Sequence, residues 1–186
     1  AGDSIGTVRE IYDGALSPEM AIRTFRNIDR LFPTRRIAPS ATPRVLPQAA
    51  QPLGPLRIVS GDSTVDLERY LDLNRVAALL VLKDGAIVHE QYRYGNTPAT
   101  RWMSMSVAKS VTSTLIGAAL REGKIRSLDD SVTRYVPALA SSAYDGVTVR
   151  EVRLMASGVQ WSERYTDPPS DRRRLLEAQI SQVPGS

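Results

Sequence analysis

A chain of 186 residues with 42% hydrophobic and 24% charged residues has the composition of a globular protein, large enough for one sizeable core or for part of a larger domain. No apolar run reaches the roughly 18 residues that a membrane-crossing helix needs, and the absence of cysteine excludes disulfides, thiolate chemistry and cysteine-ligated zinc. The net charge of +4 comes from 24 basic residues, of which only Lys83, Lys109 and Lys124 are lysines; no stretch interleaves basic and aromatic residues, so nucleic acid is not an expected partner.

The chain starts at Ala1 rather than at methionine. An exported chain does so once its signal is removed, so a periplasmic or secreted location is expected, although a trimmed cytoplasmic chain starts the same way. "SPEMAIRTFRNIDRLF" then reads as the helix of an N-terminal segment, residues 1–32. Ser17 suits its cap, Pro18 its first position, and Glu19 its positive end, while Ile22, Phe25, Ile28 and Phe32 recur at helical spacing. Residues 33–57 form a Pro-rich arm. Pro33, Pro39, Pro43, Pro47, Pro52 and Pro55 interrupt every possible helix there, so the arm must be extended and could lie over a neighbouring body.

The remainder, 58–186, opens with "STVDLERYLDLNRV", read as a short helix. "AALLVLKDGAIVHEQYRYG" follows as two strands joined at Asp84-Gly85, where positive φ is tolerated; the almost wholly apolar first run suits a central strand. A helix is predicted from Ser106 to Glu122, with Val107, Val111, Leu115 and Ala118 or Ala119 on one face and Gly123 ending it. "SLDDSVTRYVPAL" gives a helical turn stopped by Pro137. "TVREVRLMASG" carries a capping box, Thr148 with Glu151, and closes at Gly158. The last predicted helix is "SDRRRLLEAQISQV"; its basic run Arg172-Arg173-Arg174, beside Asp171 and Glu177, reads as a solvated face.

The chemistry sits at the start of the helix at Ser106. Ser106-Val107-Ala108-Lys109 places a hydroxyl and an amine three residues apart, on one face of the first turn. A serine hydroxyl needs a base to become a nucleophile, and a desolvated lysine is such a base. Free N–H groups at a helix start can hold a developing oxyanion. The motif by itself has little weight, since 18 serines and three lysines give about 0.3 such pairs by chance. Its surroundings add to it: Lys109 starts between an apolar hairpin and an apolar helix, among the small residues Ser104, Ala108, Ser110 and Ser113. His89 is the only histidine and reads as a strand residue, which argues against both a histidine-based triad and a histidine-rich metal site.

"RWMSMSVAKSVTSTLIGAALREGKI", "SLDDSVTRYVPAL" and "VTVREVRLMASGVQW", in that order, resemble the serine β-lactamase-like hydrolases, a family of class C β-lactamases, DD-peptidases and esterases. "AIVHEQYRYGNTPATRWMSMSVAKS" resembles most its 6-aminohexanoate-dimer hydrolase branch. The resemblance covers about residues 70 to 170. It implies an α+β, β-lactamase/transpeptidase-like fold, an antiparallel sheet flanked by helices with a helical region. It also implies that Ser106 is the acylated nucleophile, Lys109 its base, and the Ser106 N–H one oxyanion donor. No metal or cofactor is called for. "LMASG" matches a helix-end block of structural support, as Asp129 and Asp130 match another, read as helix capping.

The Tyr-x-Asn or Tyr-Ser-x and Lys-Thr-Gly-like elements expected after the S-x-x-K helix are not found. Tyr94-Gly95-Asn96 precedes Ser106 and reads as the hairpin's end, while Tyr165 is a candidate wall of a substrate cleft. These gaps lead to the expectation that residues 58–186 are the N-terminal part of a hydrolase domain, with its C-terminal remainder as a partner. The expected function is a serine hydrolase of small-molecule amides or carboxyl esters. A penicillin-binding DD-peptidase or β-lactamase, and a non-catalytic binding protein of the same fold, are the alternatives.

Overall fold

The computed structural model describes residues 2–181; the expected end of the last helix, Gln182 and Val183, lies outside the described residues. The chain divides into two compact units, one running up to Met103 and resumed at Ile180, the other from Ser104 to Gln179.

In the first unit, α1 (Val8–Asp13) and α2 (Pro18–Arg26) precede a 3-10 turn at Ile28–Arg30. The N-terminal segment 1–32 thus holds two helices and a 3-10 turn where one helix is expected. A capping box between Thr7 and Glu10 starts α1, and Gly14, at φ 65°, ends it, both purely local signals. Ser17 caps α2 by accepting from the Met20 N–H, as expected. Thr24 is fully buried; its hydroxyl donates to the Met20 carbonyl at 2.6 Å and accepts from the Gly6 N–H at 2.9 Å, which fastens the N-terminal segment to α2.

Residues 63–76 divide differently from the single helix expected. Ser63–Asp66 is a strand, β2, paired antiparallel with β1 (Arg57–Ser60), and only Leu67–Leu73 is helix, α3, capped by Asp66. The turn between the strands needs positive φ, which Gly61 supplies at 56°. The predicted hairpin is present as β3 (Ala78–Lys83) and β4 (Ala86–Tyr92), with Asp84 and Gly85 at φ 52° and 80°. Among the described residues β3 is an outer strand rather than a central one: β4 pairs with one of its edges and nothing with the other. β4 is covered on its far side by the Pro-rich arm. Ile87 donates to the Pro47 carbonyl, and its own carbonyl accepts from Ala49, while Leu53 donates to Val88, all at 2.7–2.8 Å. The arm thus lies along the hairpin, with the Ala49 and Leu53 N–H groups donating to β4. His89 is a half-buried strand residue whose ring contacts Gln91. Tyr94-Gly95-Asn96 ends the hairpin, with Asn96 donating back to the Arg93 carbonyl.

The second unit holds α4 (Val107–Arg121), α5 (Val149–Arg153) and α6 (Asp171–Ile180). Pro137 begins a second 3-10 turn (Pro137–Leu139) instead of only stopping the first (Val132–Arg134), because its fixed φ suits a first helical position. The Thr148–Glu151 capping box forms, yet α5 ends at Arg153, well before Gly158. Neither Asp129 nor Asp130 caps a helix. Asp129 accepts from Arg150 Nε at 2.8 Å and Asp130 accepts from the Tyr135 hydroxyl; Ser131 takes the cap of the first 3-10 turn. The basic run of α6 is not a uniformly solvated face. Arg172 is buried with its guanidinium over the Tyr165 ring, Arg173 reaches Glu177, and only Arg174 is exposed.

Candidate active site

The site grows from an irregular entry into α4. Met105 adopts φ 47°, a left-handed conformation that costs a residue with a Cβ about 1–3 kcal/mol and that persists only where neighbours enforce it. The N–H groups of the three residues after Ser106 bond three positions back, Val107 to Ser104, Ala108 to Met105 and Lys109 to Ser106, giving a first turn of 3-10 character. Ser106, at φ −70° and ψ −7°, is therefore already helical and its hydroxyl does not cap the helix. A capping serine needs an extended backbone to fold its oxygen back over the second and third N–H groups.

Freed from that task, Ser106 Oγ lies 2.9 Å from Lys109 Nζ. At that distance a proton can pass directly between hydroxyl and amine. Among the described residues the Ser106 N–H makes no hydrogen bond, so this donor at the helix start is open to an incoming acceptor. Lys109 lies on the wall of a cavity of about 340 Å³ formed within the same unit. Its surroundings are more open than the sequence suggested, since Lys109 is exposed and no residue of α4 is buried. The predicted apolar face exists by spacing, but Val107, Val111 and Leu115 are 66, 59 and 63% exposed.

Tyr165 does not line the cavity that Lys109 lines. Its hydroxyl donates to Glu163 at 3.2 Å and its ring stacks under Arg172. Among the described residues no group of acidic or histidine side chains is placed to hold a metal ion, and no helix is long and apolar enough to cross a membrane. Sequence reasoning passed over the left-handed Met105, because a methionine carries no signal for positive φ, and over Tyr135, whose hydroxyl joins Asp130 to the Arg126 N–H at 2.9 Å on the wall of the same cavity.

The Ser106–Lys109 pair at the start of α4 lies within the stretch, residues 72–186, that matches the Beta-lactamase family. The chain belongs to that family. It is 42% identical over 106 residues to the 6-aminohexanoate-dimer hydrolase of Paenarthrobacter ureafaciens, which covers 57% of this chain and 27% of that protein. Its fold is similar to that of a Bacillus anthracis protein provisionally named a 6-aminohexanoate-dimer hydrolase, with a TM-score of 0.57 and 24% identity over 68% of this chain and 32% of that one. The chain thus spans between a quarter and a third of the length of these relatives.

Proposed function

We propose that this protein is a serine hydrolase that cleaves a small linear amide or carboxyl ester through an acyl-enzyme on Ser106, with Lys109 as the base. The observation that carries the reading is the 2.9 Å contact between Ser106 Oγ and Lys109 Nζ in a chain of the Beta-lactamase family. Ser106 Oγ attacks the carbonyl carbon as its proton moves to the Lys109 amine. The oxyanion that forms is held in part by the open Ser106 N–H. The bond to nitrogen or oxygen then breaks, and the leaving group takes the proton from Lys109. Water repeats the sequence on the acyl ester and frees Ser106.

The 6-aminohexanoate dimer named for the relative is a linear amide, which favours linear amides and esters over strained lactams as substrates here. Tyr165 is proposed as a wall of the substrate cleft, and its replacement by alanine should raise KM more than it lowers kcat.

An active-site fluorophosphonate tests the reading. The reagent should phosphonylate Ser106, identified by peptide mass spectrometry, and leave Ser110 and Ser113 unmodified. Label on any other serine, or none, would refute it. Acylation of Ser106 by a penicillin in the same assay would move the substrate class to β-lactams.

A further inference from the structure

β4 ends at Tyr92 and α4 begins at Val107, and the chain that joins them carries Ser106 at its end. Three consecutive residues of that approach are fastened to the N-terminal segment, each by a different kind of contact. The Arg101 guanidinium pairs with Asp29 at 3.1 Å. The Trp102 ring meets the Phe25 ring edge to face, with 5.8 Å between centroids. The Met103 N–H donates to the Phe25 carbonyl at 3.0 Å. Among the described residues, Met103 is the one member of 101–106 whose N–H is hydrogen-bonded.

Two positions after Met103 comes the left-handed Met105, at φ 47°. A strained residue keeps its conformation only where its surroundings over-determine it. Downstream, α4 holds it, through the Ala108 N–H on the Met105 carbonyl. Upstream, the fastening is Phe25, since the exposed Arg101–Asp29 pair contributes little by itself. We infer that Phe25 is a positioning residue of the hydrolase, whose carbonyl and ring fix the upstream end of the Met105 turn and so set where Ser106 Oγ stands. The inference rests on the serine hydrolase reading and adds to it a residue of α2 that touches no substrate. A reacting group displaced by about 1 Å can lose about 10²-fold in rate. A loosened anchor should therefore slow the chemistry and leave binding alone.

The test is a double-variant cycle on the full chain, read as the rate at which a fluorophosphonate labels Ser106. Melting temperatures are followed alongside, and all rates are taken well below the lowest of them. Phe25→Ala and Trp102→Ala should each slow labelling about tenfold. The double variant should be no slower than either, because both remove one contact. With p-nitrophenyl acetate the same variants should lower kcat and leave KM unchanged. Thr24→Val is the control. It keeps the shape of the neighbouring buried side chain but loses the bonds to Gly6 and Met20, so it should lower the melting temperature without slowing labelling. If Phe25→Ala does not fold, Trp102→Ala, at a 42% exposed residue, decides alone. Unchanged labelling in the ring variants, or labelling slowed as much by Thr24→Val, would overturn the positioning role and leave the hydrolase standing. Absence of label on Ser106 in the unaltered chain would overturn both.

Discussion

Two helix starts in the same unit share one spacing and opposite chemistry. At α5, Thr148 and Glu151 form a capping box in which the threonine hydroxyl accepts from the Glu151 N–H, and the glutamate accepts from the Thr148 N–H at 2.8 Å. At α4 the same two positions hold Ser106 and Lys109, and neither backbone end is served by the other's side chain; the side chains meet each other instead. The first arrangement satisfies two orphan N–H groups and puts a negative charge at the positive end of the helix. The second gives up the cap and puts an amine there, with no acid anywhere in the first turn. The difference teaches that a helix start can serve as a fastening or as a site. At α4 stability is surrendered at the residues proposed to do chemistry.

Breaking each start should therefore give opposite signatures. Ser106→Ala should lower ester turnover by several orders of magnitude while leaving the melting temperature unchanged, because the hydroxyl caps nothing. More than about a tenth of the activity remaining would remove Ser106 from the mechanism. Lys109→Arg should cost about 10²–10⁴-fold in kcat, the range of a lost general base, and be nearly as damaging as Lys109→Ala, since arginine keeps its proton; near-normal turnover would reduce Lys109 to a positioned charge.

Thr148→Ala should lower stability by about 1 kcal/mol, read in thermal melting. Lys109→Glu should do the reverse, abolishing turnover while stabilising the start of α4 by about 0.3–1 kcal/mol; a lower melting temperature would show that the amine supports the fold. The smallest effect is in pH. Hydrogen bonds from the Thr148 backbone, then from its side chain, hold the Glu151 carboxyl below the usual glutamate range. The stability it contributes is present above the ordinary glutamate value and is lost as pH falls through its own lowered value. Thr148→Ala removes only the side-chain bond, so the Glu151 midpoint in a carbon-13 titration should rise part of the way to normal.

What could be read from the sequence was whatever a few neighbouring residues decide. Ser17 at α2, the Thr148–Glu151 box, Asp84-Gly85 and the bounds of α4 all follow from side chains within four positions of the backbone they serve. The Thr7–Glu10 box and Gly14 were equally local and equally legible, yet passed over. The strand β2 was absorbed into the helix after it because "STV" lacks a period of its own; its identity depends on β1. The roles of Asp129 and Asp130 depend on Arg150 and Tyr135, one of them 21 residues away, and no spacing rule reaches that far. At the site, the sequence located the serine and lysine because three residues on a helix are always neighbours. It did not foresee that α4 presents Val107, Val111 and Leu115 to solvent, since periodicity defines a face and not what covers it.

The arm along β4 bears on the order of events as the protein forms. Its bonds join Pro47, Ala49 and Leu53 to Ile87 and Val88, closing a loop of more than thirty residues over a hairpin whose own strands meet across two. Closing the longer loop costs more chain entropy, so the hairpin should assemble first and serve as the template on which the arm is laid. The arm's side chains are mostly exposed, so little apolar contact holds it once laid. It can peel away and return without the hairpin opening, and the amide hydrogens of Ala49 and Leu53 should exchange with solvent well before those inside the β3–β4 ladder.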